Sequence, residues 1–157
     1  MKKINFSWKN RVGLGVMTGT SCDGIDISAV QFSEFSLNEF NVIISKSYPY
    51  PSEIKEFIKK CLTEKIKLSD LSQFNYYISE IYGQAISHFI ENYLKSTPDY
   101  VAVHGQTIWH NPVQENFFGK QISSTYQAIN ISALAKKIGL PVIGDFRAGD
   151  IAFKGQG

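Results

Sequence analysis

The chain lacks any long apolar run, has almost no arginine, and carries little excess charge of either sign. None of its 157 residues lies in a segment approaching the ~20 apolar positions that a membrane-spanning helix needs. Lysines precede Val12–Met17, but that run is too short and too glycine-broken for the hydrophobic region of a signal peptide. Sixteen basic residues against fourteen acidic ones leave a net charge of +2. That balance excludes the broad basic stripe of a nucleic-acid surface, yet allows a phosphate site, which needs only a few local donors. The two cysteines, Cys22 and Cys61, lie far apart. A domain of this size needs no disulfide staple, so free thiols in a reducing cytosol are expected. Internal repeats and low-complexity tracts are missing as well. What remains is a globular composition, 43% hydrophobic and 13% aromatic, expected to be cytoplasmic, with neither nucleic acid nor membrane as partner.

Val12–Met17 and Ile25–Phe32 read as two strands joined by the polar cluster TGTSCDG, a β-hairpin. Ile25, Ile27 and Ala29 share one face of the second strand. Phe40–Tyr48 predicts a third strand, with Ser33–Glu39 as the turn before it, so the chain opens as a meander. After Pro49 and Pro51 the period changes. Ile54, Phe57, Ile58 and Leu62 mark one helix. Leu71, Phe74, Ile78, Ile81, Ala85 and Phe89 mark a longer one from about Ser69 to Leu94. Gly83 inside it costs roughly 1 kcal/mol relative to alanine and suggests close packing. Tyr100–Val103 predicts a buried strand. An extended path through Thr107–Trp109 is expected to turn at Asn111-Pro112, and Ser123–Ile129 is ambiguous β-like sequence. Asn130 is the expected N-cap of a helix over Ile131–Ile138 that Gly139 and Pro141 stop. Pro141–Gly144 reads as a last strand, and residues 145–157 as a site loop. The expected order, β-β-β-α-α-β-α-β, predicts an α/β fold with a mixed sheet covered by helices.

Three segments carry candidate chemistry. The first is Thr18-Gly19-Thr20-Ser21-Cys22-Asp23-Gly24-Ile25. Glycines and hydroxyls between two strands can offer N–H and O–H groups to phosphate oxygens, and Asp23 can hold Mg²⁺ directly or through water. It is neither a Walker A loop nor a dinucleotide fingerprint. The same residues would also serve as an ordinary hairpin turn, since Asp-Gly favours one. A thiol nucleophile at Cys22 would need a nearby cation or helix N-terminus, and Asp23 has the opposite effect. The second segment, His104-Gly105-Gln106-Thr107 with Trp109-His110, follows a strand, where ligand contacts gather in α/β sheets. Gln106 and Thr107 suit sugar hydroxyls; a capped strand end with a structurally bonded histidine is the alternative. His88, His104 and His110 lack a metal-ligand spacing. The third is Asp145-Phe146-Arg147 with Asp150. Arg147 and Arg11 are the two arginines of the chain. Arg147's planar fork suits carboxylate or phosphate, and Asp150 can orient a hydroxyl or accept its proton. An internal Asp–Arg ion pair is compatible with both roles.

Together, GVMTGTSCDGIDISAV (15–30), HGQTIWHNP (104–112) and GDFRAGDIAFKGQG (144–157) resemble the anhydro-N-acetylmuramic acid kinases of bacterial cell-wall recycling. The resemblance implies membership of the superfamily of sugar kinases, actins and heat-shock chaperones, with a ribonuclease H-like, actin-like ATPase lobe. Residues 1–157 would form the N-terminal lobe of a two-lobed sugar kinase, the second lobe lying outside this chain. The implied reaction opens the 1,6-anhydro ring of anhydro-N-acetylmuramic acid with water and phosphorylates O6, using ATP and Mg²⁺. On that similarity Thr18, Gly19, Thr20, Ser21, Cys22, Asp23, Gly24 and Ile25 line the phosphates, with Asp23 near the metal. His104, Gln106, Thr107, Arg147 and Asp150 face the sugar. The general base is expected beyond residue 157, so these residues alone are expected to turn over little or nothing. A homodimer is implied for the full-length form. The sequence departs from the family pattern at Lys154, at Gly149, and over Gln127–Ile131. A non-catalytic lobe that binds nucleotide or sugar is the alternative; a hydrolase built on Cys22 or His104 lacks an orienting third group.

Overall fold

Alternating burial builds the opening of the chain. The computed structural model describes residues 11–19, 21–33, 39–63 and 65–157. Strands β1 (Val12–Met17), β2 (Gly24–Phe32) and β3 (Phe40–Pro49) pair antiparallel, as the meander reading predicts. On β2 the buried side chains are Ile25, Ile27 and Ala29. Ser33 donates its N–H to the Glu39 carbonyl at 2.9 Å; the turn predicted between them falls on residues 34–38, outside the described residues.

Two helices follow. In α1 (Ser52–Thr63) Ile54 and Ile58 are buried and Phe57 half-buried. Leu62, predicted to continue that stripe, instead stands 57% exposed, while Cys61 packs on the core. Position 61 lies seven residues, close to two helical turns, after 54 and so keeps to the buried face, while 62 falls to its side. In α2 (Leu68–Tyr93) the buried line is Phe74, Ile78, Tyr82, Ile86 and Phe89. It runs in steps of four and then three; the predicted Ala85 is buried too, while the predicted Leu71 and Ile81 are half-buried. Gly83 permits close packing as expected: a Cβ there would stand 2.6 Å from Lys137 Cγ of helix α3 (Ile131–Ile138).

Strand β4 (Tyr100–Val103) lies parallel to β1, and β7 (Val142–Ile143) parallel to β4. The five-stranded sheet therefore runs β3-β2-β1-β4-β7, antiparallel on one side of β1 and parallel on the other. Leu14, Val16, Val101 and Val103 face the helices and are fully or nearly buried. Asp99 clips the starts of β1 and β4 together: its carboxylate takes the Val12 N–H at 2.9 Å and pairs with Arg11. Asn130 caps α3 as predicted, its side chain accepting the Ala133 N–H at 2.9 Å, and Gly139 ends the helix with φ 68°.

Two expectations are corrected. Asn111-Pro112 does not turn the chain. Strand β5 (Gln106–Phe117) continues through it and pairs with β6 (Lys120–Ala128) as a separate two-stranded ribbon. Pro112 sits in the register shift between Asn111 and Glu115, where a strand tolerates a missing donor. The real turn is Phe118-Gly119, with φ 50° and 80°, the geometry of a tight two-residue hairpin without its usual Asn-Gly signal. Residues 145–157 are not wholly loop either: Phe146–Ala152 forms a short helix, α4, beside β6. Both thiols are free, as expected. No helix among the described residues is long and apolar enough to cross a membrane.

Gly24 marks where β2 meets the end of β3. A Cβ there would lie 2.1 Å from the Tyr48 carbonyl oxygen and 2.9 Å from Pro49 Cα, both main-chain atoms. Gly24→Ala should destabilise the fold by about 1–3 kcal/mol in urea denaturation. Gly149→Ala, where nothing lies within 4 Å, should leave stability unchanged or slightly raised.

Candidate functional site

The three segments singled out in the sequence follow β1, β4 and β7, three neighbouring parallel strands. Parallel pairing sends their C-terminal ends to one edge of the sheet, the edge where α/β folds place ligands. The segments converge on the main-chain carbonyl of Gly105. Thr18 donates its hydroxyl to that oxygen at 3.0 Å. His104 Nδ1 approaches the same oxygen at 2.8 Å. Arg147 Nε in turn donates to His104 Nε2 at 3.3 Å. Since Nε2 is an acceptor there, the hydrogen-bond geometry assigns the imidazole proton to Nδ1. Gly105 must be glycine: its φ is 82°, and a Cβ would lie 2.7 Å from Ile129 Cγ2.

The bend after β1 divides its groups between interior and solvent. Thr18 is 3% exposed and its hydroxyl is committed inward, so it can offer a ligand only its main chain. Gly19, Ser21 and Asp23 are exposed. Thr20 lies outside the described residues. Cys22 adopts φ 56°, and its Sγ receives the Gln106 side-chain amide at 3.7 Å. Burial, then the neighbouring Asp23, push the Cys22 thiol up, with the Gln106 amide acting weakly the other way. A thiol held protonated is a poor nucleophile, which argues against hydrolase chemistry at this position. Ile25 is buried in the core. A depression of about 360 Å³ opens beside the bend, lined by Gly19, Ser21, Asp23, Gly24, Asp26 and Ser47. Its volume falls within the range of small-molecule sites.

Gln106 is 1% exposed, and its Oε1 is buried with no hydrogen-bond partner among the described residues. Buried acceptors are rarely left unpaired in folded proteins, so an orphan beside the bend is a reason to look for a ligand. Asn75 Oδ1 on α2 is the other such atom among the described residues. Thr107 is half-buried, and its carbonyl receives the Gln106 amide at 3.3 Å. Asp150 accepts the Gly157 N–H at 2.7 Å. No carboxylate pairs with Arg147 among the described residues, so the predicted internal Asp–Arg ion pair does not form there. Likewise, no group of three metal-ligating side chains occurs among them.

Sequence reasoning missed two members of this assembly. Tyr82, fully buried on α2, donates to the Thr18 hydroxyl at 3.2 Å, and Tyr50 donates to Tyr82 at 3.2 Å. A chain of hydrogen bonds thus runs from Tyr50 through Tyr82 and Thr18 to the Gly105 carbonyl. The four-residue step from Ile78 to Tyr82 was the available signal, hidden because the apolar Ile81 lies next to it.

The family model for anhydro-N-acetylmuramic acid kinase matches residues 11–157. The chain belongs to that family. A curated anhydro-N-acetylmuramic acid kinase of Sulfurimonas denitrificans is 34% identical over 146 residues, spanning 92% of this chain and 37% of the relative. That of Haemophilus influenzae is 33% identical over 147 residues, spanning 92% and 36%. That of Salinibacter ruber is 32% identical over 154 residues, spanning 94% and 38%. The chain spans little more than a third of the length of these relatives. The span matched by the family contains all three converging segments, and the mixed sheet with its helices is consistent with an actin-like ATPase lobe.

The tyrosine pair gives this family member a measurable alkaline signature. Burial pushes the Tyr82 phenol up to about 12, and burial together with Tyr82 pushes Tyr50 further up. Both are raised in the folded state, so the unfolded chain releases these protons first. Their contribution is fully present below about pH 10, the ordinary tyrosine value, and is lost as the pH rises toward about 12. Urea midpoints should therefore fall between about pH 10 and 12, and the Tyr50→Phe/Tyr82→Phe double variant should show a flatter decline.

Proposed function

We propose that this chain is the N-terminal lobe of a kinase that converts 1,6-anhydro-N-acetylmuramic acid and water to N-acetylmuramic acid 6-phosphate with ATP and Mg²⁺. The observation that carries the reading is the convergence of the segments after β1, β4 and β7 on the Gly105 carbonyl. A phosphoryl-transfer site must hold nucleotide phosphates and acceptor sugar side by side, and that node ties the two candidate halves together.

In this reading the main chain from Thr18 to Ile25 lines the ATP phosphates. Gly19 and Gly24 lack side chains, and Ser21 adds a hydroxyl. Mg²⁺ fits the residues present: it keeps several waters and needs only one or two carboxylates besides phosphate oxygens. Exposed Asp23, with Asp26 in the same depression, supplies them. The ion would neutralise charge on the transferred phosphoryl group. His104, Gln106, Thr107, Arg147 and Asp150 form the sugar side, where the unpaired Gln106 Oε1 can accept from a sugar hydroxyl. The general base that activates the attacking water lies outside residues 1–157. The reading carries with it a cytoplasmic location and a homodimer for the full-length form.

Calorimetry with Mg·ATP tests the phosphate half. Asp23→Ala should weaken binding about tenfold, and equal affinity in the variant would remove Asp23 from the site. A coupled assay with anhydro-N-acetylmuramic acid tests the remainder. Residues 1–157 alone should turn over little or nothing, because phosphoryl transfer needs charge stabilisation from both sides of the nucleotide; robust turnover would contradict the two-lobe assignment.

A further inference from the structure

We propose that His104 is a positioning residue: it contributes no atom to the ligand and instead holds the Arg147 guanidinium toward an anionic group, a carboxylate or a phosphate. This deepens the kinase reading and rests on it. Both ring nitrogens of His104 are already committed. Nδ1 donates to the Gly105 carbonyl at 2.8 Å, and Nε2 accepts from Arg147 Nε at 3.3 Å. No lone pair or N–H is left for a substrate. The bond to Nε uses one of the five guanidinium donors and fixes the plane of the fork. The terminal nitrogens of Arg147 have no partner among the described residues, and no carboxylate neutralises them. A half-buried fork with no partner for its terminal nitrogens among the described residues, joined through His104 to the Gly105 carbonyl that Thr18 also bonds, is suited to bidentate capture of an anion.

The arrangement requires a neutral imidazole. A protonated ring would place an N–H against the Arg147 donor and a second positive charge beside the guanidinium. The other titratable groups on the elements meeting there are Tyr100 on β4, His110 and Glu115 on β5, Lys120 and Tyr126 on β6, Asp145 at the N-cap of α4, Asp150 within it, and Cys22 and Asp23 in the bend. Tyr82 reaches the same carbonyl through Thr18.

The experiment is nitrogen-15 NMR on the whole chain, with two variants that separate the ring nitrogens. Without ligand, His104 should show the Nδ1–H tautomer, and the Arg147 Nε–H signal should shift as His104 titrates. An Nε2–H tautomer, or an Arg147 signal indifferent to that titration, overturns the proposal. His104→Gln can return an acceptor near the Nε2 position. His104→Asn can keep a donor near Nδ1 but offers no acceptor to Arg147. The Arg147 signal is then titrated with anhydro-N-acetylmuramic acid, with 1,6-anhydro-N-acetylglucosamine, which lacks the carboxylate, and with inorganic phosphate. A response to the first probe alone identifies the sugar carboxylate as the anion, and a response to phosphate identifies the phosphoryl side. His104→Asn should weaken the responding probe about tenfold while His104→Gln largely restores it. Equal weakening by both variants would mean that the ring touches the ligand, and overturns the positioning role. If no probe moves the Arg147 signal, the anion role is overturned, while the kinase reading is judged separately by the Mg·ATP titration.

Discussion

The carbonyl oxygen of Gly105 ties the loop after β1 to the loop after β4 and, through His104, to α4. It has two lone pairs, and each is taken from a different direction, by Thr18 and by His104. Thr18 lies just beyond β1 and His104 just beyond β4, so the node exists only because those strands run parallel with Val16 opposite Val103. A slip of one residue would turn Val16 and Val103 out of the core and carry the two loops out of reach of each other. Hydrophobic burial thus sets the register, and the register sets the site.

Helix α2 contributes more than an apolar face. Ser79 and Tyr82 are buried on it among isoleucines and phenylalanines. Tyr82 holds the Thr18 hydroxyl, and Ser79 accepts the Asn130 N–H at 2.8 Å, just before α3. Polar groups in an apolar layer cost free energy unless paired, and here each is paired to a loop or a helix entry. The helix therefore fixes the bend after β1 and the entry to α3 through hydrogen bonds, while its apolar line carries the packing. Tyr50 extends the first of these links to the start of α1, so the pieces around the bend share one hydrogen-bonded support.

Much of the architecture was legible because it follows from local chemistry. The alternation of Ile25, Ile27 and Ala29 predicts the buried face of β2, and the burial agrees. Asn130 and Gly139 bracket α3 with a side-chain cap and a left-handed residue, each a property of its own amino acid. The ribbon of β5 and β6 was not legible. Pro112 signals a stop, but a bulge in a two-stranded ribbon absorbs it, and Phe118-Gly119 makes the tight turn with a residue that rarely adopts positive φ. Helix α4 is not legible either, because seven residues with Gly149 among them carry no helical stripe. It is held beside β6, with Arg147 bonded to His104.

The sequence by itself determined the elements that depend on nearest neighbours, and the three polar segments from which a site could be assembled. Glycine, proline, capping residues and apolar period act within a few positions, so their effects can be read along the chain. Tertiary structure alone decided which hydroxyl faces inward, that His104 commits both nitrogens to protein, and that no carboxylate among the described residues pairs with Arg147. Those outcomes depend on groups as many as 87 positions apart, brought within 3.0 Å as Thr18 and Gly105 are. No local propensity encodes a distance between residues that meet only when strands pair in register.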